Sequence, residues 1–515
     1  MINKIENIKK VITIENILCL FLILCPILDA ASFLYRNYFN TNLSVSTVLR
    51  PIIPIIAIVY IFFKDKIKSK LIITGLIYGL YAIIHLYIFS IMARGSAYGN
   101  IFRELQYIVN YTFMIMNLFI YLYIFIFRKK NIEREECITK IRKTLLISFT
   151  IYIVLMYIAI LTGTSSSTYI EGIGYKGWFE SGNSVGAIMI LMLFATLPIT
   201  SKKHDIKTRI WAIVDVILSG IYLTTLLGTR IGLFGFVLVL FIYLICEILH
   251  TLFNSKKINK KVVAVGFSIF SVLAIIVIIF GSSTLARRRL LKEEDNTIYD
   301  EEIGESAHVT GDLMEIAHQI KNNKIEPEYM NKETQKAILD LYEYNNKHKI
   351  ALTNMRMIQL VYHTALVKEQ SDICMILFGN GYMLHYYELI FEMEVPAFLY
   401  NFGLYGFILY FIPFFIIAVA GIASAIKYIK RLTVQGAMAI SSICFAIVAS
   451  FLSGYIFFNQ SAVAVIIAMC VITIYEIINM KGENIEKDYI WNNRPNIRGR
   501  RTSFGRYSKR TRETV

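Results

Sequence analysis

Residues 224–245 read TTLLGTRIGLFGFVLVLFIYLI, a stretch that is apolar almost throughout and carries one charged side chain, Arg230. About 20 apolar residues in a helix are enough to cross the hydrocarbon core of a membrane. An arginine at the mouth of such a helix is costly unless its guanidinium reaches water, lipid headgroups or an anion. Gly228 and Gly232 flank Arg230 and would let a ligand approach closely. The stretch therefore predicts a membrane-spanning helix that begins at an anion-binding arginine.

The same apolar pattern recurs along the whole chain. Of its 515 residues 56% are hydrophobic, and the mean hydropathy is +0.55, whereas ordinary soluble domains are roughly 45–50% apolar. The sequence predicts an all-α, polytopic integral membrane protein with about 12 transmembrane helices. The predicted spans are 15–33, 43–63, 71–92, 105–127, 144–162, 182–200, 210–228, 230–249, 262–281, 396–425, 436–457 and 461–479.

The basic residues in the connections predict the orientation. If both termini are cytoplasmic, all the lysine-rich connections and the basic tail fall inside: 64–70, 128–143, 201–209, 254–261, 426–431 and 494–512. The net charge of +16 is then mainly a topology signal that also attracts anionic lipid, and no nucleic acid partner is expected. The predicted parts are an N-terminal bundle of about nine spans (1–281), a large extracytoplasmic helical loop domain between spans 9 and 10 (282–395), about three C-terminal spans (396–480) and a basic, disordered cytoplasmic tail (481–515).

The loop domain is net acidic, with 19 Asp plus Glu against 12 Lys plus Arg. Apolar residues at helical spacing predict three amphipathic helices, at 312–323, 332–348 and 354–368. A loop of this length is usually functional. We expect it to cap a cavity that opens toward the outer leaflet.

No cofactor motif stands out in the sequence. The seven cysteines are scattered singly, with no CxxC pair and no His/Cys cluster at metal-ligand spacing. There is no P-loop, and no GxGxxG follows a strand pattern. The sequence therefore predicts no cofactor, no metal and no disulfide.

Arginine and lysine are distributed unequally between the two predicted faces of the membrane. The outer helix mouths and short outer connections carry one lysine, Lys176, and five arginines, which are Arg36, Arg50, Arg94, Arg103 and Arg230. Guanidinium binds phosphate oxygens bidentately, whereas lysine serves well as a topology charge. The hypothesis is that several of these arginines, with Arg287, Arg288, Arg289 or Arg356 from the loop domain, clamp a phosphate-bearing lipid headgroup. The alternative is that their side chains only snorkel to the membrane surface.

A second informative stretch is ILFGNGYMLHYYELIFEMEVPAFLYNFGLYGFILYF, residues 376–411. Gly379, Asn380 and Gly381 predict a turn with positive φ angles. Glu392 and Glu394 lie just before the tenth span. Such glutamates could be solvated boundary charges, or one of them could deprotonate a sugar hydroxyl as a general base.

These stretches resemble the superfamily of O-antigen ligases and O-antigen polymerases, which are bacterial membrane glycan transferases. The resemblance rests on GTRIGLFGFVLVL, on GWFESGNSVGAIMILMLF (177–194), on the GNG turn and on NFGLYGFILYF. It covers residues 177–480 by these motifs and the whole chain by the number of spans. It implies that Arg230 and Arg356 hold the diphosphate of a polyprenyl-linked glycan, and it makes Asn183 and Asn380 candidate substrate-binding residues. Arg94, Arg103 and Arg288 are further diphosphate candidates from the distribution of arginines alone.

The catalytic position departs from the histidine that ligases of the superfamily carry there. Glu392-Met393-Glu394 looks more like the acid-x-acid form of Gram-positive polysaccharide polymerases. Glu392 and Glu394 are the predicted bases, and His385 is the alternative.

The sequence thus predicts a metal-independent glycosyltransferase of the bacterial cytoplasmic membrane. It would polymerise polyprenyl-diphosphate-linked repeat units into a capsular or O-antigen-like polysaccharide at the outer face. Its partners would be the lipid-linked donor and acceptor, the bilayer, and a flippase and chain-length regulator of the same pathway. Three alternatives stay open: a ligase that moves finished polymer to a wall or lipid acceptor, a lipid-linked oligosaccharide flippase, and an inert adaptor.

Overall fold

The computed structural model describes most of the chain up to residue 482. The described residues are 13–39, 45–65, 67–92, 99–168, 174–201, 204–254, 312–327, 329–330, 332–348, 355–370, 372–382, 391–452 and 454–482. The predicted ninth span (262–281), Arg94, Arg288 and His385 lie outside them.

The described chain is almost entirely helical. Its α-helices are α1 (Ile14–Phe39), α2 (Val45–Lys64), α3 (Lys68–Met92), α4 (Ile101–Leu122), α5 (Asn131–Leu161), α6 (Gly182–Thr196), α7 (Ile206–Ile221), α8 (Arg230–Asn254), α9 (Asp312–Lys321), α10 (Lys332–Lys347), α11 (Met355–Gln370), α12 (Ile373–Phe378), α13 (Glu394–Tyr410), α14 (Ile412–Lys427), α15 (Val434–Leu452) and α16 (Gln460–Lys481). Two short strands, β1 (Ser166–Ser167) and β2 (Tyr175–Gly177), pair antiparallel between α5 and α6.

The fold class is confirmed as an all-α polytopic membrane protein. Nine described helices are long and apolar enough to cross a membrane, and α13 with α14 form a bent pair that makes ten. Eleven of the twelve predicted spans coincide with described helices, counting α2 and the bent pair. The interior of the bundle is formed above all by α6 and α16, whose apolar side chains are buried on nearly every side.

Alternating helix directions give the bundle two chemically different ends. At one end, Glu15 pairs with Lys129 (2.8 Å) and Asp65 with Arg128 (3.5 Å), joining the start of α1 to the ends of α2 and α4. We call this the lysine end, because the helices that flank the lysine-rich connections 64–70, 128–143, 201–209 and 426–431 begin or end there. The opposite end, which we call the cavity end, contains the end of α1 and the beginnings of α2, α4, α6, α8 and α16.

The described part of the loop domain forms helices where the sequence predicts them. Helices α9, α10 and α11 match the three predicted amphipathic segments. They share a small apolar core that includes Met314, Ile338 and Tyr362. A face of α11 then reaches the start of α13: Gln359 accepts the backbone N–H of Glu392 (3.0 Å), and His363 stacks on Phe391 with ring centroids 3.9 Å apart.

The GNG turn and the break in α13 are packed backbone against backbone. Gly379 and Gly381 have φ of 88° and 82°, as the sequence predicts, and Gly403 interrupts α13 with φ of 67°. The N–H groups of Asn380 and Gly381 donate to the carbonyls of Tyr400 (3.1 Å) and Asn401 (2.9 Å). A Cβ at Gly379 would collide with the Asn401 carbonyl, and one at Gly403 with the Gly379 nitrogen. Glycine is required here by both its conformation and its size.

We predict that Gly379→Ala lowers the stability of the folded protein by at least about 2 kcal/mol, because alanine is strained at this φ and meets backbone atoms. The measurement is the thermal unfolding midpoint of the purified protein in detergent. Gly79→Ala is the matched control, since a Cβ on this α3 glycine meets no atom within 4 Å. Equal midpoints for the two variants would contradict the packing of the turn.

Candidate functional site

The cavity end contains two adjoining chambers. The polar chamber has a volume of about 670 Å³ and is lined by residues that include Arg36, Arg50, Arg103, Asn110 and Glu180. The aromatic chamber has a volume of about 490 Å³ and is lined by several tyrosines and phenylalanines together with Asn110 and Asn117. The two chambers share Arg36, Arg50, Tyr107, Asn110, Glu180, Phe458 and Gln460.

One face of α4 lines both chambers. The lining residues on it are Arg103, Gln106, Tyr107, Asn110, Tyr111, Phe113, Met114, Asn117 and Tyr121. At 1.5 Å per residue, the distance from Arg103 to Tyr121 along the helix is about 27 Å. The chambers therefore extend from the cavity end deep into the bundle. Their lining changes from charged to aromatic along that path.

Arg50 is the most tightly held charge in the polar chamber. Its side chain is buried, with 8% of the residue exposed, and its guanidinium pairs with Asp29 from α1. It also donates to Ser461 Oγ (2.6 Å) and Gln460 Oε1 (3.4 Å) at the start of α16. Tyr152 from α5 donates to the second oxygen of Asp29 (2.8 Å). Four helices thus meet at one ion pair, because a charge in an apolar bundle must be compensated.

Arg36 and Arg103 are more accessible than Arg50. Arg36 pairs with Glu180 at 3.0 Å, and the two side chains are 37% and 53% exposed. Arg103 lies in the first turn of α4, where the Asn100 side chain caps the helix by accepting from the N–H groups of Phe102 and Arg103, both at 3.1 Å. This cap fixes the position from which Arg103 enters the polar chamber.

Arg356 and Glu392, predicted as a diphosphate ligand and a base, lie together in the structure. Arg356 Nε donates to Glu392 Oε2 at 3.2 Å, and its Nη1 donates to the carbonyl of Leu452 at 2.7 Å. The two side chains are 24% and 38% exposed. Gly454 packs against the Glu392 carbonyl, and the neighbouring Tyr455 lines the aromatic chamber. The pair therefore lies near the chambers, outside their described lining residues.

Glu394 occupies a different environment from Glu392. It is completely buried, and its carboxylate accepts the backbone N–H groups of Ile456 (2.6 Å), Phe457 (2.8 Å) and Phe458 (2.7 Å). A carboxylate is a strong acceptor for the unpaired N–H groups ahead of a helix. Glu394 thereby fixes the segment before α16, and Phe457 and Phe458 of that segment line the aromatic chamber.

Arg230 begins α8 at the cavity end, and its side chain is exposed. The preceding Thr229 contacts positions 182 and 186 of α6, where a Cβ would lie 3.2 and 3.4 Å from its side chain. Ser181 and Ser184, beside those glycines, line the polar chamber, whereas Asn183 is not among its described lining residues. The Gly232 amide donates to Thr229 Oγ1 (3.2 Å), and a Cβ at Gly232 would touch Leu223 and Thr229. Gly232 therefore serves helix packing.

Asn380 is buried in the GNG turn, with its amide against the carbonyls of Tyr400 and Gly381.

The buried side chains of His85 on α3 and Glu104 on α4 form a pair that holds the same turn. His85 Nδ1 donates to the Phe378 carbonyl (2.6 Å), and His85 Nε2 is hydrogen-bonded to Glu104 Oε1 (3.0 Å). The other oxygen of Glu104 accepts the N–H of Tyr382 (2.7 Å). Burial raises the pKa of Tyr382 well above its usual range, so a neutral phenol lines the aromatic chamber.

The structure therefore brings together only part of the predicted set. Arg103 lines the polar chamber, Arg356 and Glu392 form a pair nearby, and Glu394 and Asn380 are enclosed in packing contacts. Asp29 and Glu180 were not among the predicted site residues, whereas Arg36 and Arg50 were two of the outer arginines named for the phosphate clamp. Two opposite charges in consecutive apolar spans, Asp29 and Arg50, were the available sequence signal. Among the described residues, no three His, Cys, Asp or Glu side chains come together in a way that could hold a metal ion.

A family model described as "O-antigen ligase like membrane protein" matches residues 12–483. The chain belongs to this family. No curated protein and no solved structure is significantly similar to it. The match extends beyond residues 177–480, on which the resemblance in sequence rests, and includes the helices that carry Arg50 and Arg103.

Membership in the O-antigen ligase-like family assigns the general role. The chain is a multi-pass membrane protein of a polysaccharide ligase or polymerase family, which implies a bilayer and lipid-linked glycan substrates. A chamber lined by arginines at one end of the bundle suits the phosphate groups of such a substrate, because guanidinium binds phosphate oxygens bidentately.

We predict that Glu394→Gln destabilises the protein by about 1.5–3 kcal/mol, because the charged acceptor of three backbone N–H groups becomes a neutral amide. Glu392→Gln is the control, since it removes a partly exposed ion pair that contributes about 1 kcal/mol or less. Thermal unfolding in detergent measures both. If Glu392→Gln were the more damaging substitution, the structural role of Glu394 would be wrong.

Proposed function

We propose that this protein is a polysaccharide polymerase that joins polyprenyl-diphosphate-linked repeat units at the outer face of the bacterial cytoplasmic membrane. The observation that carries the proposal is the arginine-lined polar chamber at the cavity end. The family supports a role as polymerase or ligase in general. The Glu392-Met393-Glu394 sequence, where ligases of the superfamily have a histidine, favours the polymerase.

The orientation that we propose places the cavity end outside. The ion pairs with Lys129 and Arg128 and the lysine-rich connections lie at the other end. Positive residues are retained on the cytoplasmic side during membrane insertion. The arginines of the polar chamber would then lie near the outer leaflet, where the diphosphate of a lipid-linked glycan is presented.

Arg36, Arg50 and Arg103 would bind the diphosphate from three different helices. Arg50 is fixed by its partners, so little ordering is needed when the ligand arrives, and Arg36 and Arg103 are accessible. Charges that are already in place stabilise the negative charge that develops on a leaving group. Arg230 and Arg356 remain proposed ligands at the edge of the site, and the chemistry of a guanidinium suits them to the same role.

The reaction would be a displacement at the anomeric carbon of the donor glycan. A hydroxyl oxygen of the acceptor repeat unit forms a bond to that carbon, and the bond from carbon to the diphosphate oxygen breaks. The electron pair leaves with polyprenyl diphosphate, and the hydroxyl proton passes to a carboxylate. The activated donor supplies the free energy of polymerisation.

Arg103→Ala is the test of this site, because Arg103 reaches the chamber from an exposed position and its loss leaves no buried charge unpaired. We expect a fall in polymerisation rate of about 10-fold to 150-fold, the loss of one charge-assisted contact to phosphate. The measurement is the size distribution of lipid-linked glycans in cells that lack the protein and are restored with each variant. Single repeat units should accumulate on the lipid while long polymer disappears.

Arg431→Ala is the matched control, an exposed arginine at the lysine end that donates to the Met480 carbonyl (3.0 Å). It should restore full polymer. Accumulation of long chains on the lipid in cells without the protein would make it a ligase, because polymer would then form without reaching its acceptor. Full activity of Arg103→Ala would remove the polar chamber from the mechanism.

A further inference from the structure

The ion pair between Arg36 and Glu180 joins the end of α1 to the segment just before α6. Arg36 Nη1 lies 3.0 Å from Glu180 Oε1, and both residues line both chambers. The carbonyl of Glu180 also accepts a hydrogen bond from Lys176 Nζ at 3.0 Å, which holds the segment in place. The carboxylate of Glu180 thus lies where the polar and aromatic chambers meet.

Glu180 is the most available carboxylate of the site. Among the described residues that line the two chambers, Asp29 and Glu180 are the carboxylates. Both oxygens of Asp29 are occupied, one by Arg50 and one by Tyr152. Its side chain is 16% exposed, against 53% for Glu180. Glu392 is paired with Arg356 outside the described lining.

Arg36 can exchange one anion for another. Its side chain is 37% exposed and Nη1 contacts Glu180, whereas Nε is buried and has no hydrogen-bond partner among the described residues. A phosphate group can bind a guanidinium in a bidentate geometry. A partly exposed ion pair contributes little to stability. An arriving diphosphate can therefore displace the carboxylate at small cost.

We propose that Glu180 is the catalytic base and that Arg36 holds it inactive until the donor diphosphate takes over the guanidinium. This inference rests on the proposed function and adds the residue and the order of events. Donor binding separates Arg36 from Glu180 and leaves the Glu180 carboxylate without its partner where the two chambers meet. In this proposal the donor and acceptor sugars come together at that point. The acceptor is activated only when a donor is present.

The proton balance of the step is simple. Glu180 takes the proton of the acceptor hydroxyl as its oxygen bonds to the anomeric carbon, and polyprenyl diphosphate leaves with the electron pair of the broken bond. The protonated carboxyl then returns its proton to water. The charged groups that face this exchange are Arg36, Arg50, Arg103 and Asp29 from the surrounding helices, with Lys176 on the Glu180 backbone.

Glu180→Gln separates catalysis from binding. Purified full-length protein in lipid nanodiscs is assayed for binding of polyprenyl diphosphate and for polymerisation of lipid-linked repeat units. We expect Glu180→Gln to bind polyprenyl diphosphate as tightly as wild type or more tightly, because the competing anion has become neutral. Its polymerisation rate should fall by about 10²–10⁴-fold, the usual contribution of a general base. Glu180→Asp should retain part of the rate.

Two further variants distinguish a base from a mere ion pair. Arg36→Gln should weaken binding of polyprenyl diphosphate, opposite to Glu180→Gln, whereas a purely structural pair predicts the same loss in both. Glu343→Gln is the comparison, a glutamate of α10 whose side chain is 66% exposed and which lies outside the described lining of both chambers, and it should keep the wild-type rate. The acidic limb of the pH–rate profile should be present in wild type and in Glu343→Gln, and absent from the residual rate of Glu180→Gln.

The possible results separate the two proposals. Full polymerisation by Glu180→Gln in a protein that binds polyprenyl diphosphate would overturn the assignment of the base and leave the proposed function intact. Weakened binding in both Glu180→Gln and Arg36→Gln would reduce the pair to a structural contact. If the wild-type protein neither binds polyprenyl diphosphate nor polymerises lipid-linked repeat units, the proposed function and this inference are both overturned.

Discussion

The ion pair between Asp29 and Arg50 is the interaction on which the cavity end depends. A guanidinium inside an apolar bundle must find a counter-charge and acceptors for its N–H groups. Here those partners come from α1 and α16, with Tyr152 of α5 on the far side of the carboxylate. Satisfying one charge therefore makes four helices converge. The polar chamber lies beside this ion pair, and Arg50 in its wall is already fixed in position.

A second set of contacts builds the wall formed by the loop connections. The Glu394 carboxylate fixes the three residues 456–458, and the GNG turn packs its glycines onto the break at Gly403. Both features bring bare backbone together inside the bundle, where each N–H needs an acceptor. In the first case the acceptor is a carboxylate. In the second the acceptors are the carbonyls of Tyr400 and Asn401, which the turn can approach because glycine has no Cβ. The result is that Tyr382, Phe457 and Phe458 are held at the aromatic chamber.

The sequence was sufficient for features that depend on local pattern. Apolar runs located eleven described spans, and helical spacing located the three loop helices, because both follow from residues close together in the chain. The positive φ of Gly379 and Gly381 was also predicted correctly. Pairings between distant residues were not accessible in this way. Arg356 and Glu392 are 36 positions apart, so two residues predicted for separate roles turned out to be partners.

The glycines beside Arg230 show a related limit. A glycine next to a charge is compatible with ligand approach and with tight helix packing, and the packed neighbours of Gly232 decide for packing. In the same way, Glu180 had no sequence signal of its own, because a single glutamate before a helix is usually a solvated residue. Its significance arises only when Arg36, more than a hundred residues earlier, is brought to within 3.0 Å.

The charge balance of the site links its stability to its chemistry. Three arginines in or near the chambers, Arg36, Arg50 and Arg356, each have a carboxylate partner, and these pairs range from buried to half-exposed. Without counter-ions, such a cluster of cations would repel itself and oppose folding of the empty protein. An anionic substrate must then displace a carboxylate, and the exposed pair yields before the buried one. In the mechanism that we propose, the buried pair of Asp29 and Arg50 stays intact, while the exposed pair of Arg36 and Glu180 balances charge in the empty site and releases Glu180 as a base when the diphosphate binds.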